Sequence, residues 1–175
     1  MPYVLNNTTF QALFGEITDQ EVDAIALPAS PTLRMDAGIS AKVKQKAGEQ
    51  VEDEALGLTP AAPGCVYMTG GGNIKAKHIF HCVMINNDKS ASPEDLQLCL
   101  HEVFAQARLH SIRSIAFPAL GSTFPGLTPQ SSAEIIIAEA HAAVEAGADF
   151  SHLLFVVCDR MIHSHFKRAL KKKFR

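Results

Sequence analysis

The sequence lacks the features that mark membrane, secreted or strongly charged proteins. Its 175 residues contain no apolar run long enough to span a bilayer, and residues 1–7 lack the charged and apolar segments of a secretory signal. Only 19% of the residues are charged and the net charge is −2. A protein that holds DNA through its phosphates normally has a basic excess. We therefore expect a cytoplasmic protein with no membrane partner, for which nucleic acid is a disfavoured partner.

The sequence also lacks metal-binding and disulfide signatures. The four cysteines are widely spaced and form no Cys-x-x-Cys pair, which is typical of reduced, buried thiols. The eight histidines form no His-x-x-x-His pair beside a carboxylate. We therefore expect no metal and no cofactor, with the histidines at the surface or satisfied in the core.

Positive charge is concentrated in one place, the C-terminal residues 167–175. Cations in the last turn of a helix interact favourably with its dipole. This stretch is therefore interpreted as a solvated helix end rather than a nucleic-acid or membrane patch.

What is present is organised around residues 114–127. An apolar run at residues 115–117 is typical of a buried strand, and Pro118 ends it. After a turn-forming segment between Gly121 and Gly126, Thr128 can cap a helix whose first residue is Pro129. A strand, a loop of small residues and a helix can place N–H groups around an anion, although most such connections bind nothing.

Patterns along the rest of the chain predict a mixed α/β fold. Strands are predicted at residues 3–5, 9–14, 22–27, 65–69, 78–84, 115–117 and 152–158. Helices are predicted at residues 39–47, 50–56, from 92 onward, 129–146 and 161–172. Because helices and strands alternate in the second half, we expect a three-layer α/β/α fold with a mixed, partly parallel central sheet. No repeat or linker is visible, so residues 1–175 are interpreted as one domain.

Three loops of this fold leave the carboxyl ends of strands, where open α/β sheets bind ligands. They are residues 28–38, residues 119–127 and the segment from Asp159 onward. If the first two converge, two sets of main-chain donors face each other. That arrangement suits a diphosphate better than a single phosphate.

Six short motifs, in this order, resemble those of the macro domain family, α/β/α modules that bind ADP-ribose and related nucleotides. Residues 15–18 resemble the family's Gly-Asp-Ile-Thr, and residues 22–30 resemble Val-Asp-Ala-Ile-Val-Asn-Ala-Ala-Asn. The other matching segments are residues 36–39, 78–81, 114–118 and 121–126. The resemblance covers nearly the whole chain and implies the same fold and an ADP-ribose-type ligand.

The resemblance also implies which residues contact the ligand. The carboxylate of Glu16 would accept a hydrogen bond from the adenine amino group. The loops at residues 38–39 and 121–126 would cradle the diphosphate, and Ser30 would contact the distal ribose. The candidate ligand-binding residues are Glu16, Ile17, Ala29, Ser30, Asp36, Ala37, Gly38, Ile39, Gly121, Ser122, Thr123, Phe124, Pro125, Gly126, Cys158 and Asp159.

Several of these positions depart from the family pattern, and the glycines of the first loop are reduced to Gly38. Glu16 replaces Asp and is one methylene longer, and Ser30 replaces Asn and loses its second donor. Thr123 replaces the middle glycine of the second loop, and its Cβ would block close approach of a phosphate. Cys158 stands where the family often has an aromatic residue that stacks on adenine, a contact worth about 1–3 kcal/mol.

The sequence therefore supports a leading function and two alternatives. The leading one is binding of ADP-ribose or a derivative, such as an O-acyl ester or an ADP-ribosylated protein. The first alternative is hydrolysis of an ADP-ribosyl ester, for which no catalytic residue is assigned because no Gly-x-Ser-x-Gly elbow surrounds Ser30. The second is a degenerate scaffold that binds another nucleotide, RNA or a protein partner.

Overall fold

The computed structural model describes all 175 residues. The seven strands are β1 (Tyr3–Leu5), β2 (Thr8–Phe14), β3 (Ala24–Ala29), β4 (Val66–Gly70), β5 (His78–Val83), β6 (Ser114–Phe117) and β7 (His152–Val157). The five α-helices are α1 (Gly38–Ala47), α2 (Glu49–Leu56), α3 (Pro93–Leu109), α4 (Pro129–Glu145) and α5 (Arg160–Lys173). A short 3-10 helix, Ile17–Asp19, follows β2.

One seven-stranded sheet forms the middle of the molecule, in the order β1-β2-β7-β6-β3-β5-β4. The five inner strands are mutually parallel, whereas β1 and β4 pair antiparallel at the two edges. The predicted mixed, partly parallel sheet is therefore confirmed.

Helices cover both faces of the sheet. Alternate residues of β7 face opposite sides, because successive side chains of a strand do so. Phe155 packs in a core with α3, α4 and α5, and Val156 packs in a second core with α1 and α2. The three-layer α/β/α architecture follows from these two cores.

Local capping signals place the starts of the long helices. The Ser92 side chain accepts a hydrogen bond from the Asp95 N–H at the start of α3, and Thr128 accepts from the Ser131 N–H at the start of α4. A proline occupies the first position of each helix, where no helical hydrogen bond is lost. Both predicted helix starts are confirmed.

The prediction that a strand ends at Leu27 is wrong. β3 continues through Pro28 to Ala29 and stays in register with β5 as far as Val83. Its other neighbour, β6, pairs only with Ala24 and Ile25. Pro28 therefore lies beyond that short ladder, where its missing N–H costs no ladder bond.

None of the five helices has the length and the continuous apolar character that a bilayer crossing requires. The last turn of α5 carries the exposed Lys171, Lys172 and Lys173, as the sequence predicted for a solvated helix end.

Candidate functional site

A cleft of about 380 Å³ lies at the carboxyl ends of the inner strands. The segments that follow β2, β7, β6 and β3 all contribute to it, because parallel strands bring their carboxyl ends to one edge of the sheet. Gly38 and Gly121 line the same cleft. The predicted convergence of the two glycine-containing loops is therefore observed, and the space between them is open.

Nine of the sixteen candidate residues line this cleft. They come from the loop after β2, the start of α1, the loop after β6 and the end of β7. They are Glu16, Ile17, Gly38, Ile39, Gly121, Ser122, Thr123, Cys158 and Asp159.

The N-terminus of α1 opens into the cleft without a side-chain cap. Its N-cap is Ala37, which has no side chain that can accept a hydrogen bond. The first amides of a helix have no acceptor within the helix, and those of Gly38 and Ile39 find none elsewhere in the protein. These amides and the positive end of the helix dipole favour an anion at this point.

The loop after β6 supplies main-chain donors from the opposite side. Two of its amides close internal turns, from Ser122 to the Ala119 carbonyl and from Phe124 to the Gly121 carbonyl. The amides of Gly121 and Thr123 have no protein acceptor. Successive turns of this kind leave alternate N–H groups free for an anion.

Glycines in this loop serve packing as well. Gly121 has a φ of +74°, and a Cβ there would meet the Met84 side chain at 2.6 Å. At Gly126 a Cβ would collide with the Ala91 carbonyl oxygen. The Ala91 N–H donates to the Pro125 carbonyl at 2.8 Å. The segment before α3 therefore holds this loop in place.

Glu52 of α2 fixes the loop that precedes α1. Its carboxylate accepts from the Met35 N–H at 2.6 Å and lies 3.4 Å from the Lys44 Nζ. The bond from Met35 lowers the pKa of Glu52, and Lys44 adds to this against an opposing effect of burial. A charged Glu52 therefore ties the loop to both helices behind it.

At the end of the cleft beside β2 and β7, the side chains of Glu16 and Ile17 form part of the lining. Glu16 is exposed and its carboxylate makes no hydrogen bond within the protein, whereas Ile17 is buried next to it. Asp159 accepts from the Ile162 N–H at 3.0 Å and so caps α5. This end offers one free carboxylate beside an apolar wall.

Seven candidate residues do not line the cleft. The Ser30 hydroxyl is hydrogen-bonded to that of Thr32 at 2.9 Å. The Ala29 carbonyl accepts from Met84 and Ile85, and Phe124 packs against the main core. The full set outside the lining is Ala29, Ser30, Asp36, Ala37, Phe124, Pro125 and Gly126.

Two charged residues of the lining, Lys42 and Lys46 of α1, were missed from the sequence. A signal for them exists, because Gly38, Lys42 and Lys46 are four residues apart and share one stripe of the helix. This stripe adjoins the apolar stripe of Ile39 and Val43, which was recognised. The lysines were passed over because charged residues on a helix usually face solvent.

Comparison with known proteins finds similarity to macro domain proteins in each case. The model of the Macro domain family matches residues 16–136. A macro domain-containing protein, XAC3343 of Xanthomonas axonopodis pv. citri, is 26% identical over 164 residues, 89% of this chain and 92% of that protein. The ADP-ribose glycohydrolase MACROD1 of Rattus norvegicus is 28% identical over 138 residues, covering 77% of this chain and 54% of that protein.

The fold is also similar to a solved structure. The Oceanobacillus iheyensis macrodomain with ADP superposes with a TM-score of 0.88 at 20% identity, covering 99% of this chain and 95% of that chain. A mutant of the same macrodomain has been solved with ADPR.

Proposed function

The chain belongs to the macro domain family, and we propose that it binds ADP-ribose or an ADP-ribose derivative in the cleft at the carboxyl ends of its strands. One observation carries the proposal: the uncapped N-terminus of α1 and the free amides of the loop after β6 line the same cleft. Two facing sets of donors suit the two phosphates of a diphosphate bridge.

The resemblance to the macro domain family gives the ligand a direction in the cleft, and the order of the strands is compatible with it. The diphosphate lies between Gly38 and Gly121, at the ends of β3 and β6. The resemblance places the adenine amino group at Glu16, so the adenine lies beside Ile17, on the side of β7 and β2. The distal ribose then lies on the side of β3 and β5, toward Ser30.

Hydrolysis of an ADP-ribosyl ester is the second candidate, and the name of the rat relative favours it. The ionisable side chains of the lining are Glu16, Lys42, Lys46, Cys158 and Asp159. The Ser30 hydroxyl, on the side where the ester would be, lies outside the lining and is hydrogen-bonded to Thr32. Binding without turnover is therefore better supported than hydrolysis. Release of ADP-ribose from an O-acyl ester by the purified protein would make hydrolysis the better-supported function.

Isothermal titration with ADP-ribose tests the binding proposal. Gly38→Glu is expected to weaken binding at least about tenfold, because it places a carboxylate where the phosphates lie and a side chain at a φ of +58°. Gly147→Glu is the matched control, since Gly147 also has a positive φ and open space around it but lies outside the cleft. No heat at millimolar ADP-ribose would reject the proposal.

A further inference from the structure

Two lysines extend the cleft along α1. Lys42 and Lys46 lie on the same stripe as Gly38 and line the same cleft. An α-helix rises 1.5 Å per residue, so the two positions lie about 6 and 12 Å further along the helix than Gly38. Their charges therefore reach beyond the place where the N-terminus of α1 holds the diphosphate.

The packing of α1 shows which end of the cleft the lysines reach. Val43, between them in the sequence, is fully buried in one core cluster with Ile17 and Val22. Glu16 and Ile17, in the segment after β2, also line the cleft together with both lysines, so the lysines share the cleft with that segment. In the proposed binding mode, that is the adenosine end of the ligand.

Neither lysine has an acidic partner in the protein. No carboxylate oxygen lies within 4.0 Å of either ammonium group, whereas Lys44 of the same helix is paired with Glu52 at 3.4 Å. Lys42 and Lys46 are also one turn apart, a spacing at which like charges repel each other. The pair therefore weakens the isolated helix slightly, and an anion bound between the two ammonium groups would remove that cost.

We propose that Lys42 and Lys46 form a second anion subsite, which selects an ADP-ribose-type nucleotide with an additional phosphate ester on its adenosine ribose. This inference rests on the proposed function, because it takes its orientation from the diphosphate at Gly38 and Gly121. Ammonium groups suit a phosphate monoester, which offers three charged or partly charged oxygens.

Titration with three ligands tests the subsite: ADP-ribose, its 2′-phosphate ester and its 3′-phosphate ester. We expect one of the two esters to bind about tenfold more tightly than ADP-ribose, and the preferred ester identifies the position of the phosphate. In the double variant Lys42→Gln/Lys46→Gln, the dissociation constant of ADP-ribose divided by that of the preferred ester is expected to fall to near one. Glutamine preserves the helix propensity at both positions.

Lys171→Gln/Lys172→Gln is the matched control, because it removes the same charge from α5, outside the cleft. The control is expected to keep the preference. Equal binding of all three ligands to the unmodified protein overturns the subsite and leaves the proposed function standing, as does a preference that survives the loss of both cleft lysines. Binding of none of the three ligands overturns the proposed function, and the subsite with it.

Discussion

Glu52 shows how a residue outside the cleft sets its geometry. The Met35 N–H donates to its carboxylate, and Met35 is buried three residues before Gly38. Without this acceptor the loop that leads into α1 loses its tie to α2. The placement of the α1 amides therefore depends on a carboxylate that does not line the cleft.

Glu52→Ala is expected to lower the free energy of unfolding by about 1–3 kcal/mol, because a buried N–H loses its acceptor. It should also weaken ADP-ribose binding. Urea unfolding and calorimetric titration measure the two effects. Glu49→Ala removes an acidic residue from the same first turn of α2 without removing a loop contact. It therefore measures the effect of the helix dipole separately from the effect of the hydrogen bond to Met35. Equal effects of the two variants would contradict the role assigned to Glu52.

The contribution of Glu52 also has a predictable pH dependence. Its pKa in the folded protein lies below the ordinary 4.5, so the charged form is favoured by folding. The stabilisation is therefore fully present above about pH 4.5 and is lost as the pH falls through the lowered pKa. The difference in unfolding free energy between the protein and Glu52→Ala should shrink over that range.

The lysines of α1 illustrate what the sequence conveys about single residues. Gly38, Gly121 and Glu16 were found from short motifs, because those motifs specify unusual backbone or a loop carboxylate. Lys42 and Lys46 belong to no motif, and their place in the cleft depends on how α1 packs against β3 and α2. Only the tertiary structure distinguishes them from solvated lysines.

At the scale of elements, the hairpin of β4 and β5 carries a buried histidine. His81 is 1% exposed, and its Nε2 lies 2.9 Å from the Thr69 Oγ1 of the neighbouring strand. Burial lowers the pKa of His81 to about 4. It is therefore a satisfied core histidine, one of the two roles the sequence predicted for this residue type.

The lowered pKa of His81 predicts that the folded protein loses stability in mild acid. The unfolded chain binds a proton at His81 near pH 6.5, whereas the folded protein does so only near pH 4, so stability falls as the pH drops between these values. Between pH 7 and pH 5 the loss is about 2 kcal/mol. Urea unfolding at the two pH values measures it.

His81→Gln should remove most of this pH dependence, because glutamine does not titrate. His110→Gln, at the exposed C-terminal end of α3, should leave it unchanged. If the His81 variant kept the full loss between pH 7 and pH 5, other groups would be its source.

The starts of the helices with local capping signals were predicted closely, whereas the bounds of β3, which depend on its partner strands, were not. α3 and α4 begin at capping residues that the chain carries itself, so their starts could be predicted. The extent of β3 depends on where β5 and β6 pair with it, and the local rule that proline ends a strand gave the wrong boundary. Strand order is not encoded locally at all.

For the whole molecule, we propose that residues 1–175 form one domain, and the strand order supports this. β2, near the N-terminus, pairs along its length with β7, near the C-terminus. The rings of Phe10 and Phe155 stack across this pair at 6.4 Å, and Phe155 stacks on Phe166 of α5 at 5.6 Å. A cut of the chain between β2 and β7 would therefore divide the main core.

We accordingly expect one cooperative thermal transition in differential scanning calorimetry, with equal calorimetric and van't Hoff enthalpies. ADP-ribose at one hundred times its dissociation constant should stabilise the folded state by about 2.7 kcal/mol. For a chain of this size the transition temperature should rise by about 5–10 °C. The segments that line the cleft follow β2 and β7 on one side of the central strand β6, β6 itself, and β3 on the other side. The ligand should therefore raise the temperature of the whole unfolding transition. Two resolved transitions, with only one of them shifted, would show that the halves of the sheet unfold separately.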